Sequence, residues 1–468
     1  MPGAMQPAVT FSLENCIWQD ESLRNTSMLW NTSMKKKNLF VIGLNDFNRT
    51  RLEAISGAEN FVFHGLLSHE EVTEQDEYPV LDLLHKAEKQ LSSFQGAIDG
   101  IIGYMDFPVS TMVPVLCERY GLRSAPVAAF LKCEHKYWSR VEQKKVIPQH
   151  IPGFHLFDPF DENPAGAIPL DFPYWIKPVK SFGSHLGFRI SGERDLEEAI
   201  PQIRENITRI SRPFDRLIDH LNPDMPEEVR GVSAHLFLAE ELIGGLQCTL
   251  EGCMYNHELY VHGVVDSIRY PNRSVFSRYQ YPSVLPRRVQ QKMAEICKTF
   301  LKHIGYNNSS FNMEFFWNRK RDKIYMLEVN TRVAQHHSDL FQKVDGVSNH
   351  QVPVNLALGK EPLIPERKGA FRIAGAFFYR EFEDARVDRV PDREEVDRME
   401  KENPGTIIQI DVTPGMMLSE LPEQDSYSYI CALIYMGASG RKVLLKGYEK
   451  CLRGLNVPYG EWEKIPRL

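Results

Sequence analysis

The chain has 468 residues, 43% of them hydrophobic, which allows a large core and exceeds one average domain, so two to four units are expected. A formal charge of −7 gives no support to nucleic-acid or anionic-membrane binding. Eight cysteines without a CxxC pair, no signal-peptide core and no apolar run of ~20 residues point to a cytoplasmic protein with reduced thiols and no membrane partner.

The polar residues 1–35 read as a flexible N-terminal arm. The apolar run 38–44 predicts the first strand of an α/β unit, with a loop over 44–48 at its carboxyl end. Strands over 61–65 and 100–104 and helices over 80–91 and 111–120 make 36–127 an expected parallel-sheet α/β domain with helices on both faces. The chemistry is expected in 128–360. A helix over 128–141 carries His135 and Lys136, strands are expected over 172–178 and 236–241, and a helical stretch over 196–210. A mobile lid subdomain would cover about 135–240. Antiparallel strands are expected over 249–257, over 258–266 and on both sides of the loop 317–323, with a helix over 287–304. Residues 361–468 predict a small C-terminal α+β domain, with strands over 369–379, 407–412, 428–434 and 441–445 and a charged helix over 393–403.

Three groups of residues carry chemistry. Lys177 ends a strand ahead of Ser181-Phe182-Gly183-Ser184-His185-Leu186-Gly187. A lysine there reaches phosphate oxygens, and glycine and serine let backbone N–H groups approach the same anion; a solvated hairpin loop fits the same residues. The GxxxxGK[ST] and GxGxxG spacings are absent. Glu240-Glu241-Leu242-Ile243-Gly244-Gly245 can present a carboxylate and backbone groups to an adenine edge, or form a plain acidic turn. In the third group, strand alternation puts Asn312 and Glu314 on one face, and Glu328 and Asn330 on one face of the next strand. Pairing of these strands would converge four oxygen-bearing side chains, the ligand type Mg2+ takes beside phosphates. Buried acids without a cation are costly, and Arg319, Arg321 or Lys323 are the alternative partners. Arg332 can clamp a carboxylate or acyl phosphate bidentately, or neutralise Glu328. The adjacent His336 and His337 point to different sides, so no two-histidine metal site is expected. The polar loops 44–48, 104–112, 266–285 and 331–340 are the expected seat of specificity, with Arg269, Arg332 and His336 as substrate candidates.

The ordered set of Lys136, Ile176-Lys177-Pro178 with its glycine loop, Ala239-Glu240-Glu241-Leu242-Ile243-Gly244-Gly245, Asn312-Met313-Glu314 and Leu327-Glu328-Val329-Asn330-Thr331-Arg332 resembles the ATP-grasp superfamily over about 36–360. The resemblance implies that Lys136 and Lys177 touch ATP phosphates beneath the loop containing Ser181, Gly183 and Ser184. Glu240 and the backbone of Glu241, Leu242 and Ile243 would hold adenine, and Gln247 stands where relatives carry a ribose-binding acid. Glu314, Glu328 and Asn330 would hold two Mg2+ ions, replaceable by Mn2+, and Arg332, with Lys177, would be catalytic at the acyl phosphate. Asn330-Thr331-Arg332 is also similar to biotin carboxylases, where a glutamate–histidine pair follows at the offset filled here by His336-His337; that acid and a Met-Lys-Met carrier motif are missing. The layout, including the C-terminal domain, is more similar to the L-amino-acid ligases that form dipeptides. It implies attack of a small-molecule carboxylate on the γ-phosphoryl group of ATP, then displacement of phosphate by an amine, in a homodimer as related ligases often are. The rivals are a carboxylase or a ligase with another acceptor, and a non-catalytic nucleotide-binding homologue.

Overall fold

Short apolar runs closed by glycine or polar turns build three sheets, taken here in chain order. A computed structural model describes residues 35–183, 185–271, 273, 275–363, 367–421 and 428–455, so the expected arm over 1–34 and Ser184 lie outside the described residues. The first sheet holds β1 (Lys37–Ile42), β2 (Phe61–Leu66) and β3 (Gly100–Ile102), all parallel, in the order β2-β1-β3. The expected loop at 44–48 is instead the start of helix Asp46–Glu53, because the Asn45 side chain accepts the Asn48 N–H at 3.0 Å and caps it. Asp106 lies just beyond the carboxyl end of β3, the end at which open α/β sheets present ligand-binding groups.

The expected helix over 128–141 is two helices, Val127–Glu134 and Lys136–Val146. His135 leaves the helical region between them, and its Nδ1 accepts the Trp138 N–H at 3.1 Å. The break makes Lys136 the first residue of the second helix, where its backbone N–H donates to Val179 O at 2.9 Å. The second sheet holds β4 (Phe154–Phe157), β5 (Tyr174–Pro178), β6 (Phe188–Ile190) and β7 (Phe237–Glu241) in the antiparallel order β4-β7-β5-β6. The helical stretch expected over 196–210 is likewise two helices, Glu193–Asn206 and Thr208–Leu221. Leu196, Ala199 and Ile203 repeat at helical spacing and bury against Ile176, Ile190 and Phe237.

The third sheet has eight strands: β8 (Leu246–Tyr255), β9 (Glu258–Arg269), β10 (Phe276–Tyr281), β11 (Ser309–Asn318), β12 (Lys323–Asn330), β13 (Ile373–Glu381), β14 (Ile407–Ile410) and β15 (Tyr429–Ala438). Its order is β12-β11-β8-β9-β10-β13-β15-β14. The C-terminal strands therefore extend the central sheet through the β10–β13 pairing. The expected strand at 441–445 is the first part of helix Arg441–Gly454, since Leu444, Tyr448, Cys451 and Leu452 bury one face at helical spacing. Helix Arg287–His303 packs Met293, Cys297 and Phe300 against Leu250, Met313 and Phe315, which covers one face of the central strands and leaves Asn312 and Glu314 on the other. No described helix is long and apolar enough to cross a membrane.

Candidate active site

Period-two alternation sends Met313 and Phe315 into the core and Glu314 to the opposite face. The register then places Glu314 opposite Glu328 and Asn312 opposite Asn330. A β-bulge after Glu314 sets Phe315 opposite Met326, leaving Leu327 outside the ladder, and its carbonyl accepts Arg140 Nη2 at 2.7 Å. Asn330 Nδ2 donates to Asn312 Oδ1 at 2.9 Å, and Asn312 Nδ2 donates to Arg332 O at 2.9 Å. None of Arg319, Arg321 and Lys323 pairs with either acid; the nearest ammonium is Lys136 Nζ, 3.8 Å from Glu328 Oε2. Burial first and Glu328 second push the Glu314 carboxyl up to about 7, against the opposing pull of Gln247 and Arg269. Two facing carboxylates in this state form an oxygen donor set short of positive charge, which fits a divalent cation. Among the described residues no group of three His, Cys, Asp or Glu side chains is placed to hold a metal, so a cation here would complete its shell with Asn330, phosphate and water.

Gln247 bridges Glu314 and Arg269. Its Nε2 donates to Glu314 Oε2 at 3.0 Å and its Oε1 accepts Arg269 Nε at 2.9 Å, so both ends of the amide are occupied. Arg269 lies within cation–π distance of the rings of Phe276 and Phe316, and its Nε donates to Gln247.

Glu240 is likewise engaged within the chain. Its carboxylate is buried between Arg140 Nε at 2.7 Å and Lys177 Nζ at 2.9 Å, so it holds the Lys177 ammonium in place. Burial alone would raise its carboxyl, but Arg140 and Lys177 outweigh burial and bring it down to about 2. A depressed carboxyl contributes stability that is present above its ordinary value near 4.5 and lost as the pH falls through about 2. That difference corresponds to about 3 kcal/mol. Glu240→Gln should therefore lose about 3 kcal/mol at neutral pH, because two buried cations are left unpaired, and its stability should fall less steeply below about pH 4.5 than that of the unaltered chain. Denaturant unfolding at a series of pH values checks this; parallel acid limbs would show that the triad does not hold the fold.

Lys136 Nζ also donates to Ser181 O at 2.6 Å, tying the first turn of its helix to the glycine loop and to Glu328 at once. Gly183 holds φ +60, a left-handed conformation glycine adopts without a side-chain penalty. Glu241 is exposed, with its carboxylate accepting the Gly153 N–H at 2.8 Å, while Leu242 is exposed and Ile243 half-buried on the link from β7 to β8. Gly245 on this link has φ +143, and a Cβ there would lie 2.3 Å from Trp317 O, so the chain can turn into β8 only with glycine.

Arg332 meets neither acid of the pair. Its Nε and Nη2 bind Asp106 Oδ1 and Oδ2 at 3.0 and 2.7 Å, a bidentate pair between the first domain and the end of β12. Burial opposes ionisation of Asp106, but Arg332 prevails and holds that carboxyl below its usual range. Next to it Thr331 donates to Glu134, which also pairs with Lys180. His337 and His336 diverge as expected. His337 Nδ1 lies 2.9 Å from buried Glu251, whereas His336 faces Tyr279 and Phe378, and burial with the nearby cations lowers it to about 4. Asp106, Glu134, Arg140, Lys180 and Glu251 escape a reading by motif. The local signal of Glu134, Arg140 and Glu251 is a charged side chain inside an otherwise apolar strand or helix face, as in Leu250-Glu251-Gly252, while Asp106 and Lys180 stand in bends that follow apolar strands.

Residues 170–339, which contain the acid pair, Lys177, the glycine loop and Arg332, match the ATP-grasp domain family. The chain has the ATP-grasp fold. An L-amino acid ligase from Bacillus licheniformis shares 15% identity at a TM-score of 0.66, over 90% of this chain and 98% of that one. A carboxyaminoimidazole ribonucleotide synthase from Aspergillus clavatus, complexed with ATP, shares 12% identity at 0.61, over 90% and 98%. The biotin carboxylase domain of the 2-oxoglutarate carboxylase of Hydrogenobacter thermophilus, in complex with MgADP, ADP and bicarbonate, shares 15% identity at 0.60, over 89% of each chain. No curated protein matches by sequence. The N-terminal parallel sheet and the C-terminal α+β elements flank the matched domain.

Proposed function

We propose that this ATP-grasp chain activates a small-molecule carboxylate as an acyl phosphate and transfers the acyl group to an amine. The observation that carries this reading is the register that sets Glu314 against Glu328, with Asn330 one alternation further on and Lys136 alongside. A carboxylate oxygen attacks the γ-phosphorus of ATP, the bond to the β–γ bridging oxygen breaks, and ADP leaves. The amine nitrogen then attacks the acyl carbon, phosphate departs with the carbon–oxygen bond pair, and the amine gives up a proton. Mg2+ held by Glu314, Glu328 and Asn330 would supply charge neutralisation at the phosphate oxygens. Lys136 and Lys177 bind those oxygens, and Glu240 keeps Lys177 extended toward them. The loop around Gly183 closes over the phosphates and excludes water from the acyl phosphate. Arg332, held in plane by Asp106, orients the acyl carboxylate.

The amine acceptor is supported by His336, a neutral imidazole where carboxylases place an acid. A bicarbonate-dependent carboxylation is the second reading, because the similar folds include an L-amino acid ligase and a biotin carboxylase domain alike. ADP release measured with paired amino acids and small acids, against bicarbonate with biotin, separates the two, with mass detection of the product. Tight ATP binding with no ADP released alongside any carboxylate would overturn both in favour of a nucleotide-binding homologue.

A further inference from the structure

The far side of the central sheet carries a polar cluster that the proposed chemistry does not use. In β10, Tyr279 faces His336 and the cleft, while Arg278 and Gln280 point to the other face. Arg278 sits opposite Ile268 and Phe377, and Gln280 opposite Asp266. Phe377 stacks on Tyr448 at 3.9 Å, so helix Arg441–Gly454 covers this face. Arg278 is 0% exposed, yet neither Nη1 nor Nη2 has a hydrogen-bond partner. Gln280 Nε2 and Arg441 Nη2 are also buried without a partner. All four atoms are donors, and the acceptor that Arg278 does meet, Gln280 Oε1, takes its Nε at 3.5 Å and leaves both Nη atoms unmet.

The nearby acid does not serve them. Asp266 accepts from the Ser283 hydroxyl and from the Val284 N–H at 2.9 Å, and it acts on Arg278 and Arg441 through charge without a hydrogen bond to the free Nη atoms. Burial and then Arg441 lower Arg278 to about 10, which still leaves it charged at neutral pH. Asp266 is the acid that acts on Arg278, and it is shared with Arg441. A buried charge without a partner is strongly unfavourable, and buried donors are ordinarily satisfied.

We infer that Arg278, Arg441 and the Gln280 amide bind a small inorganic anion between β10 and helix Arg441–Gly454. The anion balances the charge and ties the C-terminal helix to the central sheet, independently of the reaction proposed above. The test is thermal unfolding of the full chain at constant ionic strength, replacing sodium gluconate with chloride or inorganic phosphate. The midpoint of the unaltered chain should rise by about 2 °C or more, and Arg278→Met should lose this response. Phosphate bound in the nucleotide cleft would shift both proteins alike, so the difference between them isolates this site. A response to phosphate without one to chloride identifies a tetrahedral oxyanion. If Arg278→Met does not fold, Arg441→Gln at the half-buried helix start replaces it. Bromide diffraction on the unaltered chain should place a peak in contact with Arg278 Nη1 or Nη2. Equal anion responses in chain and variant, or water alone at the guanidinium, would overturn the inference.

Discussion

Glu328→Gln should lower ATP turnover by about 10³-fold and at the same time stabilise the metal-free chain. The loss follows from the role proposed for the pair: a carboxylate that holds Mg2+ against phosphate contributes several kcal/mol at the transition state, and an amide cannot replace its charge. The gain follows from the register, which sets Glu314 and Glu328 side by side, with Lys136 only 3.8 Å from Glu328 as the nearest ammonium. Like charges directly opposite across a ladder destabilise by up to about 1 kcal/mol. The pH dependence has a matching sign. The Glu314 carboxyl, raised by burial and then by Glu328 to about 7, keeps its proton in the folded chain where the unfolded chain has lost it. Stability from this group is therefore full below about pH 4.5 and lost as the pH rises through about 7. Glu328→Gln should flatten that decline, and saturating Mg2+ with ATP should suppress it in the unaltered chain. Unfolding midpoints with and without Mg2+, paired with ADP release, check both halves. A variant that turns over normally and melts earlier would show that the acids serve the fold and not a cation.

Arg332→Lys should reduce turnover by about 10²-fold or more, and Asp106→Asn by about 10-fold. An ammonium cannot reproduce the planar fork that meets Asp106 through Nε and Nη2, and a group misplaced by about 1 Å can lose a similar factor. Asp106→Asn keeps the guanidinium but loosens it, which removes orientation and one charge-assisted hydrogen bond, worth about 1.5–3 kcal/mol in stability. The two substitutions separate chemistry from anchoring. If Arg332 acts only to dock the first domain, both variants should lose the same stability and the same activity, and the double variant should be no worse than either. If Arg332 contacts the reacting carboxylate, Arg332→Lys should lose far more turnover than stability. Steady-state ADP release and denaturant unfolding of the two single variants and the double variant decide between these outcomes.

The pairing of Glu314 with Glu328 illustrates what could be read in advance. Alternation along a strand depends on backbone geometry alone, so the shared faces of Asn312 with Glu314 and of Glu328 with Asn330 follow from spacing, and the 317–323 turn suggests their antiparallel pairing. Lys136 was legible as a helical residue, with a phosphate role implied only by the resemblance, but its helix start at the His135 break was not, because the capping contact of His135 with Trp138 replaces a propensity that favours one continuous helix. The segment 441–445 misleads for another reason. Val443-Leu444-Leu445 suits a strand or a buried helix equally, and the burial of Tyr448 and Cys451 further along selects the helix.

Local order, the faces of the two acid-bearing strands and the succession of ATP-grasp segments were determined by the amino-acid sequence, since each depends on residues a few positions apart. Which charge meets which was decided only in the folded chain. Arg332 pairs with Asp106 across 226 positions, Arg140 with Glu240 across 100, and Gln247 with Glu314 across 67. Coulomb attraction between exposed side chains is too weak to choose a partner, and it becomes selective only where burial removes water, which requires the sheets to have assembled.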